Sequence, residues 1–185
     1  MGIRNVAVLL GSLQKHSCNR RIAHALVDLA PRSLRFEIVE ISRLPLYRKE
    51  RVASPPADWV LFRQQILAAD AVLFMATENS RTVPGILENA LQVGACGRGP
   101  NAWAGKPGGI VSISPEGVAR GRTERHLRSA LLSRDVPVMD LPELPLRPGF
   151  LMFDDEGRVA NAEFHRFLQQ FVTSFQHWVS RGYLH

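Results

Sequence analysis

The stretch Val6-Ala-Val-Leu-Leu10-Gly11-Ser12-Leu13-Gln14-Lys15-His16-Ser17-Cys18-Asn19 decides the fold. Its first five residues are continuously apolar, the pattern of a strand buried on both faces of a parallel sheet. Gly11-Ser12 halts that run. From Asn19 to Ala30 the residues Ile22, Leu26 and Leu29 recur at helical spacing, until Pro31 closes the segment. Strand, polar turn and helix in this order predict an opening βα unit whose loop holds a glycine, two serines and an asparagine.

The same unit recurs along the chain. Residues 36–40 (Phe-Glu-Ile-Val-Glu) read as a second strand, with Ile41 at its end. Pro45, Pro55 and Pro56 mark a loop, and Trp59, Phe62, Ile66 and Ala69 then step by three and four as on a helix. Residues 71–76 form a third apolar run, followed by a polar loop at 77–82 and by Pro84, suited to the first turn of a helix reaching about Val93. A Gly/Pro-rich connection covers 94–107, a fourth strand 109–114, and a helix passes through His126, Leu127 and Leu131. Residues 136–139 (Val-Pro-Val-Met) read as a fifth strand. Phe164, Phe167, Leu168, Phe171, Phe175 and Trp178 form one stripe of a last helix.

Five strands alternating with five helices predict a three-layer, doubly wound α/β fold. Right-handed crossovers favour a five-stranded parallel sheet in the flavodoxin-like order 2-1-3-4-5. No repeat or composition break divides the chain, so residues 1–185 are expected to form a single domain. Ligands of such sheets lie beyond the strand C-termini at the switch between strands one and three. The polar loops after strands one, three and four all reach that edge.

Of the 185 residues, 45% are hydrophobic and 22% charged, a globular rather than disordered composition. The formal net charge of +6 favours anions, but the basic residues are spread from Arg4 to Arg181, which argues for small anions and against nucleic acid. Two cysteines, Cys18 and Cys96, supply neither a disulfide framework nor a cysteine-based zinc site. The six histidines lack metal-ligand spacing. The run 6–10 is too short for a membrane span or a signal-peptide core. A reduced, cytoplasmic setting without metal, membrane or nucleic acid is expected.

The loop 11–19 is the first place to look for chemistry. Its backbone N–H groups and the hydroxyls of Ser12 and Ser17 can converge on one anion, and the following helix N-terminus adds positive partial charge. Asn19 can cap that helix or bond the ligand, while Arg20 and Arg21 add field. The loop is neither a Walker A sequence nor a G-x-G-x-x-G fingerprint, so a terminal phosphate monoester fits better than a pyrophosphate. The plainer alternative is an ordinary turn with two capping side chains. Cys18 lies near the same helix N-terminus, a setting that lowers a thiol pKa. The sequence favours a small loop filler over a redox role for it. Tyr47 and Trp103 stand on connections near this edge as loop anchors, and His126 is expected to be a helix or interface hydrogen-bonder.

These residues also resemble a family. Gly11-Ser12-Leu13 with Ser17 and Asn19 is similar to the G-S-L-R-x-x-S-x-N loop of NAD(P)H-dependent FMN reductases of the chromate and quinone reductase type. Leu44-Pro-Leu-Tyr47, Phe62-Arg63, Ala69-Asp70-Ala71, Val83-Pro-Gly85, Glu88-Asn-Ala90, Trp103-Ala-Gly-Lys-Pro107, His126-Leu-Arg128 and Pro137-Val-Met139 continue the likeness in order, up to the turn at 153–157. Gln14 stands where the family generally has Arg. Residues 76–80 (Ala-Thr-Glu-Asn-Ser) replace T-P-E-Y-N, and Glu116 stands near a usual Gly.

The resemblance implies FMN as cofactor. Its phosphate would lie on Ser12, Gln14, Ser17, Cys18 and Asn19, and its ring between Thr77, Glu78, Asn79 and Ser80 on one side and Ser114, Glu116 and Gly117 on the other. It further implies NADPH or NADH as co-substrate, hydride transfer through the flavin to a quinone, flavin or similar small electron acceptor, and a homodimer or homotetramer. Backbone N–H groups would hold the pyrimidine edge, so the chemistry asks little of side chains. Glu78 is the one ionisable candidate for catalysis. The alternative from another class is a diverged, non-catalytic binding or partner protein that has lost FMN. A passive electron carrier is a third reading, against which the basic charge counts.

Overall fold

The computed structural model describes residues 2–14, 17–77, 82–97, 99–114, 117–118, 121–140, 144–145 and 152–181. The chain opens with β1 (Arg4–Leu10), α1 (Cys18–Asp28), β2 (Leu34–Ile38), a 3-10 turn (Lys49–Arg51) and α2 (Ala57–Ala68). It continues through β3 (Ala71–Thr77), α3 (Gly85–Ala95), β4 (Gly108–Ser114), β5 (Gly117–Val118), α4 (Arg122–Leu132), β6 (Leu144–Pro145) and α5 (Ala162–Ser180). The strands lie in the order β2-β1-β3-β4-β5-β6. The first four are parallel: Val6 of β1 stands between Phe36 of β2 and Ala71 of β3, and Phe74 of β3 is partnered by Ile110 of β4.

The apolar runs form central strands because both of their faces are covered. Alternate residues point to opposite sides of a strand. Val6, Val8 and Leu10 of β1, with Leu73 and Met75 of β3, pack under α1 and α5. Ala7 and Leu9, with Val72 and Phe74, pack under α2, α3 and α4. The aromatic stripe of α5 closes the first layer: Phe164, Phe167, Phe171 and Phe175 are buried, and Trp178 sits half-buried at its end. Each such side chain contributes about 1.5–3 kcal/mol by leaving water.

The second layer fixes the long Gly-rich connection after α3. Trp103 is fully buried, its indole N–H donating to the Leu91 carbonyl at 3.0 Å while its ring packs on Phe62 and Phe74. A Cβ on Gly94 would fall 2.3 Å from that indole, so only glycine permits the approach. Arg63 donates to the carbonyls of Gly94 and Pro100, closing the connection from the α2 side. Trp103 and Tyr47, which stacks on Trp59 at 5.7 Å, are therefore scaffold anchors.

The parallel flavodoxin-like sheet is present, but the expected fifth parallel strand is not confirmed. Residues 136–139 do run beside β4, with the amide of Gly108 bonded to the Pro137 carbonyl and that of Met139 to the Gly108 carbonyl, both at 2.8 Å. Only the isolated bridge Gly108↔Val138 results. Further along that edge of β4, Ile113 and Ser114 pair antiparallel with Val118 and Gly117 of β5, which in turn pairs with Leu144 and Pro145 of β6. Four parallel strands in the order 2-1-3-4 are thus extended by two short antiparallel ones. Among the described residues no helix is long and apolar enough to cross a membrane, and no group of three His, Cys, Asp or Glu side chains could hold a metal ion.

Candidate active site

The C-terminal ends of β1, β3 and β4 share one edge, and the β1–α1 loop sits at its centre. Gly11 is dictated by crowding there. Its amide donates to the Met75 carbonyl at 2.7 Å, and a Cβ would meet that oxygen at 2.9 Å and Pro84 and Leu87 at 3.1 Å. The loop then turns outward. The Gln14 amide donates to Ser12 Oγ at 3.3 Å and the Gln14 carbonyl accepts from the Ser17 amide at 3.2 Å, leaving the Gln14 side chain exposed.

Ser17 is the N-cap of α1. Its Oγ accepts from the Arg20 amide at 3.3 Å, while helical geometry leaves the Cys18 and Asn19 amides without intrahelical acceptors. Asn19, fully buried in the first turn, donates through Nδ2 to the Met75 carbonyl at 3.4 Å. It thereby ties α1 to β3, while its Oδ1 is buried with no hydrogen-bond partner. The capping role weighed for Asn19 thus belongs to Ser17, and Asn19 is a tie with one unspent acceptor.

Cys18 takes the loop-filling role expected of it rather than that of a reactive thiol. Burial pushes its thiol up, and the nearby Arg21 charge only partly opposes that. The thiolate is disfavoured, and Cys18 packs against the apolar layer as a filler. Cys96 is likewise raised by burial, with Arg63 opposing. Thr77, half-buried, ends β3 beside this edge. Glu78, Asn79, Ser80 and Glu116 lie outside the described residues. Ser114 and Gly117 are paired across the antiparallel β4–β5 ladder at this edge. His126 is exposed on α4.

Sequence reasoning passed over residues that reach the same edge from β2. Glu40, Ser42 and Arg43 follow that strand and border a groove with Ser12, Arg20 and Ile86. Glu40 accepts from the Ser42 amide at 2.9 Å and lies 3.7 Å from Arg20. The Ser42 side chain and amide, aided by the Arg20 charge, hold its carboxyl below the usual range against the upward pull of burial. The signal available in the sequence was positional: polar residues just after a second parallel strand stand at the ligand edge.

The donor set fits the phosphate and polyol of FMN. First-turn amides and the Ser12 hydroxyl suit a phosphate monoester. The orphaned Asn19 Oδ1, which needs a donor, suits a hydroxyl rather than the phosphate itself. No charged side chain among the described residues of the loop 11–14 competes for this place.

The chain is similar to known reductases over nearly its whole length. The chain is 44% identical over 178 residues to a quinone reductase of Pseudomonas putida, covering 96% of this chain and 95% of that protein. It is 34% identical over 174 residues to a 2-hydroxy-1,4-benzoquinone reductase of Burkholderia sp, with coverage of 94% and 95%. Among solved structures, the flavoenzyme NAD(P)H:(acceptor) oxidoreductase FerB of Paracoccus denitrificans superposes with a TM-score of 0.86 at 30% identity, covering 97% of this chain and 99% of that one. The family model described as NADPH-dependent FMN reductase matches residues 4–149, which span β1 through β6 and every loop of the edge, and the chain belongs to that family.

Proposed function

We propose that this protein is an NAD(P)H-dependent flavin oxidoreductase that passes reducing equivalents from a nicotinamide through FMN to a quinone. The observation that carries the reading is the collinear likeness to quinone reductases over 96% of the chain, centred on a loop whose helix N-terminus leaves the Cys18 and Asn19 amides for a phosphate. A non-catalytic relative that has lost FMN is not favoured, since the relatives across this length are named as reductases.

In this reading the chain positions and the cofactor reacts. Bound FMN supplies a two-electron acceptor and donor that the protein's own side chains lack. The amides of Cys18 and Asn19 and the hydroxyl of Ser12 hold the phosphate, with Ser17 fixing the helix N-terminus that presents them. Asn19 Oδ1 takes a hydroxyl of the polyol. The ends of β3 and β4, with Thr77, Ser114 and Gly117, hold the ring's polar edge by backbone groups. Glu78, Asn79, Ser80 and Glu116 complete that surround, and Gln14 gives a neutral contact where an arginine would give a charged one. No side chain is required as general acid, and Glu78 remains the candidate should one be needed. The work is done on a single domain, by a homodimer or homotetramer in the cytoplasm.

The purified protein tests this directly. It is expected to carry or take up FMN and turn yellow, to bleach on addition of NADPH or NADH, and to regain colour when a benzoquinone is added. A protein that stays colourless after incubation with FMN contradicts the reading. A yellow protein that no nicotinamide bleaches is a passive carrier instead.

A further inference from the structure

The β2 side of the ligand edge holds a second anion-suited place. Between the C-terminal ends of β1 and β2 runs a groove of about 350 Å³, within the size of small-ligand sites. Leu10, Ile38 and Ile86 give it apolar wall, and Ser12, Arg20 and Arg43 give it donors. Ser17, Cys18 and Asn19 do not line it, so it lies beside the phosphate loop rather than within it. Ser12 belongs to both and makes them continuous.

The polar groups of this groove are unevenly spent. Glu40 is occupied by the Ser42 amide and by Arg20. Arg20, however, keeps Nε buried with no hydrogen-bond partner. Arg43 is exposed, and among the described residues it forms no ion pair. Two guanidinium groups thus face the groove against one carboxylate already engaged. A buried unpartnered guanidinium N–H is costly unless an acceptor arrives. A ribose carrying an extra phosphate brings such an acceptor, while its base can cover the apolar wall.

We infer that this groove receives the phosphorylated adenosine end of the co-substrate, with Arg43 as the residue that selects NADPH over NADH. The inference rests on the reading of the protein as a nicotinamide-driven flavin reductase and adds the site at which its reductant is recognised. Arg43, with its planar fork of donors, engages the 2′-phosphate. Arg20 supplies Nε to the same end of the ligand, and Ser42 holds Glu40 turned to its own amide.

Titration calorimetry on the FMN-loaded protein with adenosine 2′,5′-bisphosphate and with 5′-AMP tests this without turnover. The bisphosphate is expected to bind about tenfold more tightly, the effect of one charge-assisted contact. Arg43→Ala is expected to bring the two ligands within about twofold of each other while FMN affinity stays unchanged. In stopped-flow bleaching the same variant is expected to slow NADPH, not NADH, at low concentration. Equal binding of the two ligands by the parent, or a preference that survives in Arg43→Ala, overturns the inference. So does a loss of FMN affinity in that variant, which would give the groove to the flavin's own phosphate. If the bisphosphate preference appears as expected but neither nicotinamide bleaches the flavin, the groove stands and the reductase reading fails.

Discussion

Two buried asparagines stand in contrasting regions of this molecule. Asn89, on α3 in the layer with Trp59 and Trp103, spends all it has: Oδ1 accepts from the Tyr47 amide at 2.7 Å, and Nδ2 donates to the carbonyls of Leu44 and Pro45 at 3.2 and 3.3 Å. Asn19, in the β1–α1 loop region, makes one long bond to Met75 and leaves Oδ1 without a partner. A buried polar group that is fully paired builds scaffold, whereas one left partly unpaired at the ligand edge has an acceptor to offer a bound molecule. The difference locates the working edge more sharply than burial does, since both side chains are enclosed.

Substitutions can break that contrast, and the largest effect belongs to the scaffold. Trp103→Ala removes a fully buried indole and its bond to Leu91, and is expected to cost about 3–5 kcal/mol in urea unfolding. Asn89→Ala strands the Tyr47 amide and two carbonyls and should cost about 3 kcal/mol, while the protein that remains folded keeps its FMN affinity. Asn19→Ala is predicted to invert this pattern: about 1 kcal/mol of stability, but a clear loss of FMN binding by fluorescence titration. Equal stability losses for the two asparagines, with FMN affinity untouched by either, would erase the distinction between scaffold and site.

The smallest effect concerns pH and lies at the opposite edge of the sheet. Burial pulls the Asp70 carboxyl up, but bonds from the Asn5 amide and Arg4, with the Arg4 and Lys106 charges, outweigh it and hold the group below the usual carboxylate range. A depressed carboxyl stabilises the fold at pH above its unfolded value of about 4 and loses that contribution as pH falls through the folded value. Asp70→Asn is therefore expected to lower stability slightly at pH 7 and to flatten the acid limb of the stability profile. Because the pair with Arg4 is partly exposed, screening keeps the effect small. An acid limb identical to the parent's would remove Asp70 from the account.

The parts of this molecule legible in its sequence are those set by local burial. β1, β3 and β4 announce themselves because strands covered on both faces need unbroken apolar runs, and α5 because one aromatic stripe meets one layer. The fifth parallel strand is not confirmed, because residues 136–139 carry a strand's residues but make only one bridge to β4. β5 and β6 escape a sequence reading because two residues each are too short to show a period. At the site, the serines, Asn19 and the loop were readable as residue types. Their division of labour was not, since Ser17 caps, Asn19 ties to a backbone carbonyl, and Cys18 is buried only through tertiary packing. Glu40 and Arg43 carry no motif. They matter only because parallel pairing brings the end of β2 beside that of β1.

The claim on which the rest stands is that the loop between β1 and α1 holds a flavin phosphate. FMN fluorescence titrated against the parent protein and against Ser12→Ala/Ser17→Ala measures it most directly, with circular dichroism to confirm that both are folded. The account predicts that the double variant binds FMN more weakly by about 1–3 kcal/mol, from the lost Ser12 hydrogen bond to a charged group and the lost Ser17 cap that presents the helix amides. A dissociation constant equal to the parent's would place the phosphate elsewhere and contradict it.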